Sequence, residues 1–343
     1  MRRRDIQDLG HAELAAWCAE VGEPRYRAAE ILAWVHRRGA RRFEDMTSLP
    51  RALRARLAAD FTLERLAPAA VVAAADGTRK LLFHLPGAAA IESVLIPRRD
   101  RLTLCISSQA GCGMGCAFCA TARMGLVRNL RTAEIVGQVR AGREVAAPAV
   151  VTNIVLMGMG EPLANYEAVR TACEILTAPW GYAVSPRRIT VSTVGLAPDI
   201  ARFVAETRVH LAVSLSATTD ATRSRLMPVN RRWPLAALFE ACQAVPLPRR
   251  QRITFEYVML AGENDTDADA RRLAGWLRGL RAKVNLIPFN PFPGAGFAPS
   301  PPARIARFQA LLRAAGVHAT VRESRGQDIQ AACGQLAVER PAA

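Results

Sequence analysis

From residue 102 onward, short β-rich runs alternate with helical stretches, the runs falling at 102–107, 153–157, 189–193, 210–215, 253–259 and 284–289. Each intervening helix returns the chain to the same end of the sheet, so the strands must be parallel, and six such units are what an incomplete α/β barrel needs. No repeat is visible beyond the alternation. In such barrels the loops leaving the carboxyl ends of the strands converge on one mouth, which is where chemistry is expected. With 343 residues the chain has room for the barrel, a smaller unit and a real core without disulfide staples.

Ahead of the barrel, Leu14, Trp17, Cys18 and Val21 follow helical spacing, and Ala28, Ile31, Leu32 and Val35 repeat it before Gly39, a helix stop. Ser48, followed by Pro50 and an Ala/Leu/Arg run to Phe61, predicts a third capped helix. Asp76-Gly77 between Val71-Val72 and Leu81-Leu82-Phe83 signals a hairpin, and 91–96 reads as another strand. The expected organisation is a helical unit over 1–62, a β linker over 63–97, the barrel over 98–322 and a C-terminal segment over 323–343.

The charge is +16, from 46 Lys+Arg against 30 Asp+Glu. Only Lys80 and Lys283 are lysines, a skew that owes as much to codon usage as to function. The net excess survives that discount and favours a polyanionic partner, nucleic acid ahead of an anionic membrane. Arg37, Arg38, Arg41, Arg42, Arg51, Arg54 and Arg56 crowd the helical unit, as a phosphate-facing patch or simply a solvated face. The apolar runs at 69–75 and 146–151 are far short of a membrane span, and residues 1–5 lead into no apolar signal core. A cytoplasmic, membrane-free protein is expected, in which eight cysteines point to metal or catalytic duty rather than to a disulfide framework.

After the first strand comes Cys112-Gly113-Met114-Gly115-Cys116-Ala117-Phe118-Cys119, a C-x3-C-x2-C loop. Three thiolates this close can wrap one metal centre. A structural zinc would need a fourth ligand, which no nearby Cys or His supplies. An iron-sulfur cluster also takes four, but a three-cysteine loop leaves one iron open to a substrate or cofactor. Later strands end in Gly158-Met159-Gly160-Glu161-Pro162, Ser192-Thr193, Ser214-Leu215-Ser216 and Asn290-Pro291. Glycines admit a ligand close to the backbone, Glu161 can accept from an amine, and the serines and Asn290 can hold a ribose or carboxylate. Singly, each reads as well as a cap, a local backbone bond or a turn; at one mouth they make a pocket.

These segments, with Gly22-Glu23-Pro24-Arg25-Tyr26-Arg27, Cys105-Ile106-Ser107-Ser108-Gln109, Met157 to Pro162, Asn285 to Pro291 and Ala332-Cys333-Gly334-Gln335-Leu336, closely resemble the RlmN/Cfr family of radical S-adenosylmethionine RNA methyltransferases. The resemblance implies a partial (β/α)6 radical-SAM barrel and a 4Fe-4S cluster on Cys112, Cys116 and Cys119, its open iron taking the amino and carboxylate groups of S-adenosylmethionine. Gly160, Glu161, Ser192, Ser214, Leu215, Ser216 and Asn290 match the family's cofactor contacts, with one departure: Ser216 stands where the family commonly has histidine.

The resemblance also implies a route around the poor nucleophilicity of an adenine carbon, using two cofactor molecules per turnover. One methylates Cys333; the second yields a 5′-deoxyadenosyl radical that takes hydrogen from the S-methyl group, and the carbon radical adds to the base. Cys105 then attacks the sulfur of Cys333, and reduction of the resulting disulfide resets the enzyme. Glu92 matches the family's proton acceptor. By residue chemistry alone, Cys333 and Cys105 read as small buried groups and Glu92 as a strand residue; Cys18, Cys173 and Cys242 read as packing. The implied substrate is C2 of an adenine in 23S rRNA, with a tRNA anticodon-loop adenine as a second candidate. Other expected partners are an electron donor for the cluster and, in a monomer, no second subunit. Arg123, Arg128 and Arg131, beyond the cysteine loop, are candidate phosphate contacts. The alternatives are C8 methylation of the same base, a radical enzyme with a non-RNA substrate, and a non-enzymatic RNA-binding protein with a structural metal.

Overall fold

The structure, a computed structural model, describes residues 3–338; the expected helical unit and C-terminal segment each extend by a few residues outside that range. The N-terminal part comprises β1 (Arg4–Asp5), α1 (His11–Glu20), α2 (Arg27–His36), α3 (Arg51–Asp60) and β2 (Phe61–Thr62), with β1 and β2 paired in parallel. It has its own core, in which Leu14, Ile31, Leu32, Met46 and Leu57 are fully buried. The cap of α3 differs from expectation: Pro50 precedes the helix, and the Ser48 hydroxyl instead accepts from Trp34 Nε1 and donates to Glu30, tying the helices together.

Three antiparallel strands follow, β3 (Ala70–Ala73), β4 (Arg79–Leu85) and β5 (Ala89–Arg98). They do not stand apart as a connector; β5 pairs with β6 (Arg101–Cys105) and so extends the barrel sheet itself. Between β6 and the next barrel strand lie a short hairpin, β7 (Gln109–Gly111) and β8 (Leu126–Asn129), which encloses α4 (Ala120–Arg123), and then α5 (Thr132–Ala146). The remainder alternates: β9 (Asn153–Leu156), α6 (Tyr166–Thr177), β10 (Ile189–Thr193), α7 (Ala197–Thr207), β11 (His210–Ser214), α8 (Asp220–Leu226), α9 (Leu235–Gln243), β12 (Ile253–Met259), α10 (Asp267–Trp276), β13 (Ala282–Pro288), α11 (Pro302–Ala314) and β14 (Ala319–Val321).

All six expected strands are present and parallel, and β14 adds a seventh. The ten-stranded sheet runs β14-β13-β12-β11-β10-β9-β6-β5-β4-β3, an arc whose edge strands do not pair with each other. Alternation along the strands decides where the core sits. On β10, Ile189 and Val191 are buried against the outer helices, while Thr190 and Ser192 face a cavity. Leu211 and Val213 against His210 and Ser214 repeat the pattern on β11. The apolar core therefore lies outside the sheet, and polar inward positions leave the barrel hollow.

The N-terminal unit docks on α5 and α6 through partly buried polar bonds. Asp8 accepts from Ala133 N at 2.9 Å and from Arg131 at 3.0 Å, Arg140 donates to Gln7, and Glu174 accepts from His11 N. Arg128 pairs with Glu134 at 2.7 Å, and Arg131 also reaches Glu64 at 3.2 Å. These two arginines, expected to face phosphate, are occupied internally because acidic side chains were available in the docking seam.

Candidate active site

The cysteine loop runs from the end of β7 into α4 and is pinned on three sides. Cys112 N donates to Gly125 O, Ala117 N to Leu226 O at the end of α8, and Ala120 N to Gly334 O in the C-terminal segment. Gly111, at φ +73°, is required where the loop leaves the hairpin, since a Cβ there would sit 1.9 Å from the Gly125 carbonyl oxygen. Burial pushes the Cys112 thiol up to about 12 and raises Cys116 and Cys119 as well, with neighbouring thiols adding to the rise at Cys112 and Cys116. Three thiols thus share a site that disfavours their charge in the absence of a cation. Among the described residues no group of three or more His, Cys, Asp or Glu side chains closes around a single ion, these thiols included. The all-thiolate donor set, three cysteines within eight residues, is the one an iron-sulfur cluster takes.

Cys116 and Cys119 open onto a cavity of about 660 Å³ that fills the barrel, and Gly160, Glu161, Ser192, Ser214, Ser216 and Asn290 line it with them. Gly160 adopts φ +101°, where a Cβ would lie 2.5 Å from Gln109 Cβ, so only glycine lets this loop close on β7. Glu161 is fully buried, which raises its carboxyl to about 7. One of its oxygens accepts from Leu163 N at 3.1 Å and the other from Val194 N at 2.8 Å, so it caps a local turn and also grips the loop after β10. Leu215 is buried beside the cavity without lining it, its N–H donating to Glu256 O. Ser216 adopts φ +48°; its hydroxyl accepts from Val258 N and its carbonyl from Asn264.

Cys105, at the end of β6, and Cys333 both line the same cavity, as free thiols. Burial raises both, Cys105 to about 12; the Arg322 guanidinium opposes the rise at each. Asn290 donates to the Cys333 carbonyl at 3.0 Å and accepts from Gln327 at 2.7 Å, so in this state its amide holds the C-terminal segment. Glu92 does not line the cavity. It is buried on β5, paired with Lys80 at 2.9 Å through Oε1, with Oε2 unpartnered. Of the remaining cysteines, Cys18 is buried in the N-terminal core and Cys173 and Cys242 in the barrel core, as expected for packing.

Two buried arginines had no signal in the sequence, Arg322 on the cavity wall and Arg223 behind the ends of β10 and β11. Arg322 follows β14, a strand too short to register, and Arg223 is one arginine among many, yet it is the largest fully buried side chain.

Residues 106–274 match the family model described as the Radical SAM superfamily, and residues 4–63 match that of the Ribosomal RNA large subunit methyltransferase N-terminal domain. The Dual-specificity RNA methyltransferase RlmN of Anaeromyxobacter dehalogenans is 51% identical over 342 residues, covering 98% of this chain and 92% of the relative. The protein of the same name from Geotalea uraniireducens is 50% identical, covering 98% of this chain and 97% of the relative. The crystal structure of a radical SAM methyltransferase from Sphaerobacter thermophilus aligns with a TM-score of 0.88 at 49% identity, covering 97% of this chain and 99% of that one.

Proposed function

Because this chain belongs to the RlmN family of radical S-adenosylmethionine-dependent RNA methyltransferases, we propose that it methylates C2 of an adenine in 23S rRNA, and of an adenine in a tRNA anticodon loop, through an S-methylcysteine at Cys333. The observation that carries this reading is the pair of free thiols, Cys105 and Cys333, on the wall of the cavity that also receives Cys116 and Cys119. A cluster held by three cysteines has no use for two more.

Cys112, Cys116 and Cys119 would hold the 4Fe-4S cluster, and Gly160, Glu161, Ser192, Ser214, Ser216 and Asn290, with Leu215 packed behind the cavity wall, would surround S-adenosylmethionine. When bound, the cluster and that cofactor supply the methyl group and the radical that activates it. Cys333 accepts the methyl group as a thiolate, the form Arg322 favours against the opposing effect of burial. Once the base is joined to the Cys333 methylene, the proton leaving the ring carbon goes to Glu92 as the family resemblance implies, which requires entry of the RNA to bring the base to the unpartnered Oε2, since Glu92 lies behind the cavity wall with Oε1 on Lys80. Cys105, as thiolate, then attacks the Cys333 sulfur: an S–S bond forms, the S–C bond to the methylene breaks, and the carbon keeps that electron pair and takes a proton to become the methyl group. An external dithiol reduces the disulfide to two thiols. An electron donor serves the cluster, and the protein acts as a monomer in the reducing cytoplasm. Among the described residues no helix is long and apolar enough to cross a membrane.

The test is anaerobic incubation of reconstituted protein with methyl-labelled S-adenosylmethionine and either an rRNA fragment or tRNA, followed by mass spectrometry of nucleosides. Label at adenine C2 in both RNAs supports the reading. Label at C8 or absence of label from either RNA corrects the regiochemistry or the substrate range.

A further inference from the structure

Arg223 is fully buried, and among the described residues no carboxylate lies within ion-pair distance of it. Its N–H groups go to neutral acceptors instead. Nε donates to Leu215 O at 3.3 Å, Nη1 to Asn230 Oδ1 at 3.1 Å, and Nη2 to Val194 O at 2.7 Å and Ser214 O at 3.2 Å. Three of these acceptors are carbonyls at the carboxyl ends of β10 and β11, the strands that bring Ser192 and Ser214 to the cavity. The Val194 peptide is gripped from both sides, its N–H by Glu161 and its carbonyl by Arg223.

Carbonyl dipoles satisfy the guanidinium's hydrogen bonds but do not cancel its charge, and an uncompensated cation in a protein interior is strongly disfavoured. Burial accordingly lowers Arg223 to about 10, opposed by Cys116 and then Asp220, and Leu226 and Met227, at the end of the helix that carries Arg223, pack in one apolar cluster with Cys116. The same helix that carries Arg223 also receives the cysteine loop, through Leu226 O and Ala117 N at 2.9 Å. Asp220 reaches the guanidinium through the Asn230 amide, which donates to it at 2.9 Å, so an anion in more direct reach is still wanting, and the helix places it beside the loop.

We propose that Arg223 is the built-in counter-cation of the iron-sulfur cluster. Resting on the assignment of Cys112, Cys116 and Cys119 as its ligands, the inference is that Arg223 stabilises the added negative charge of the reduced cluster and so raises its reduction potential. Arg223 acts through the cluster and the strand ends, as a positioning residue.

The test measures the potential directly, by EPR-monitored redox titration of anaerobically reconstituted full-length protein, with iron and sulfide counted. Arg223→Gln removes the charge, and Asn230→Asp leaves Arg223 in place but replaces the amide between it and Asp220 with a second carboxylate. Both should lower the potential, with at least about a tenfold fall in the reduced-to-oxidised ratio at a fixed potential, roughly 59 mV for a one-electron couple. Arg223→Lys, which keeps the charge, should recover most of the shift. Arg225→Met, on the same helix and paired with Glu263 at the surface, should match the wild type. If both neutralised variants lose iron while Arg223→Lys retains it, the charge is needed to hold the cluster, which supports the proposal. Wild-type potentials in both neutralised variants overturn it, as does equal loss of iron in Arg223→Gln, Asn230→Asp and Arg223→Lys. A wild-type protein that takes up no iron overturns the ligand assignment instead.

Discussion

Asn290 gives both ends of its amide to the C-terminal segment, one to Cys333 and one to Gln327. A side chain expected at the cofactor therefore also positions the backbone of Cys333, the proposed methyl acceptor. Replacing it with Ala should release residues 327–333, each broken bond having contributed about 1 kcal/mol, and hydrogen exchange in that segment should quicken while the barrel strands stay protected. The two thiols behind it should fail differently when removed. Cys333→Ala lacks the acceptor sulfur and should form no adduct with RNA. Cys105→Ala should still be methylated and still attack the base, then stall with the thioether intact, so protein crosslinked to RNA accumulates. Denaturing electrophoresis and mass spectrometry of the linked peptide distinguish these outcomes; identical behaviour of the two variants refutes the division of labour.

His36 closes α2 at the seam where the helical unit meets the barrel, beside Trp180 and Tyr182, with both ring nitrogens unpartnered. Burial lowers its pKa from 6.5 to about 3, so between those values the unfolded chain binds the proton and the folded chain does not. Stability conferred by neutral His36 is therefore complete above about pH 6.5 and is lost as pH falls towards 3, by an amount on the order of a few kcal/mol. His36→Phe should broaden acid tolerance, read as a lower pH midpoint of unfolding by tryptophan fluorescence; an unchanged midpoint shows that the imidazole is not the acid-labile group. Legibility along the chain follows the same logic of local against distant partners. The six barrel strands could be read because β-branched runs end in glycine or small polar residues, and the cysteine loop because its ligands are adjacent. By contrast, β14 is three residues long, and β7 finds β8 only across the cysteine loop, so no local pattern announces either. Ser48 looked like a cap by position, but its hydroxyl was claimed by Trp34 and Glu30 from another helix. Arg223 is the extreme case, since what distinguishes it is burial, which sequence does not display.

At the scale of the whole molecule, a charge of +16 and the arginines of the helical unit set up binding to a polyanion. Arg42 and Arg56 pair with Asp45 and Asp60, whereas among the described residues Arg37, Arg41 and Arg51 have no ion-pair partner. Neutralising these three should weaken RNA binding and reduce its salt slope by roughly 0.7–0.9 for each phosphate left without its arginine; a salt-insensitive affinity contradicts an electrostatic role. The arc of the sheet has a further consequence. Its last strand leads directly into the segment carrying Cys333, and that segment bonds back to the β3–β4 turn at the opposite edge: Gly326 N donates to Asp76 and Ala75 N to Asp328, each at 3.0 Å. Replacing both aspartates by Asn should raise the rate of Cys333 alkylation about tenfold or more, since each charge-assisted bond is worth about 1.5 kcal/mol or above, with mass spectrometry as the readout. The sheet is thus a bracelet fastened by its own tail, and the Cys333 thiol is mounted on the buckle. Any motion that parts the two edges of the arc must therefore also move the segment that carries Cys333.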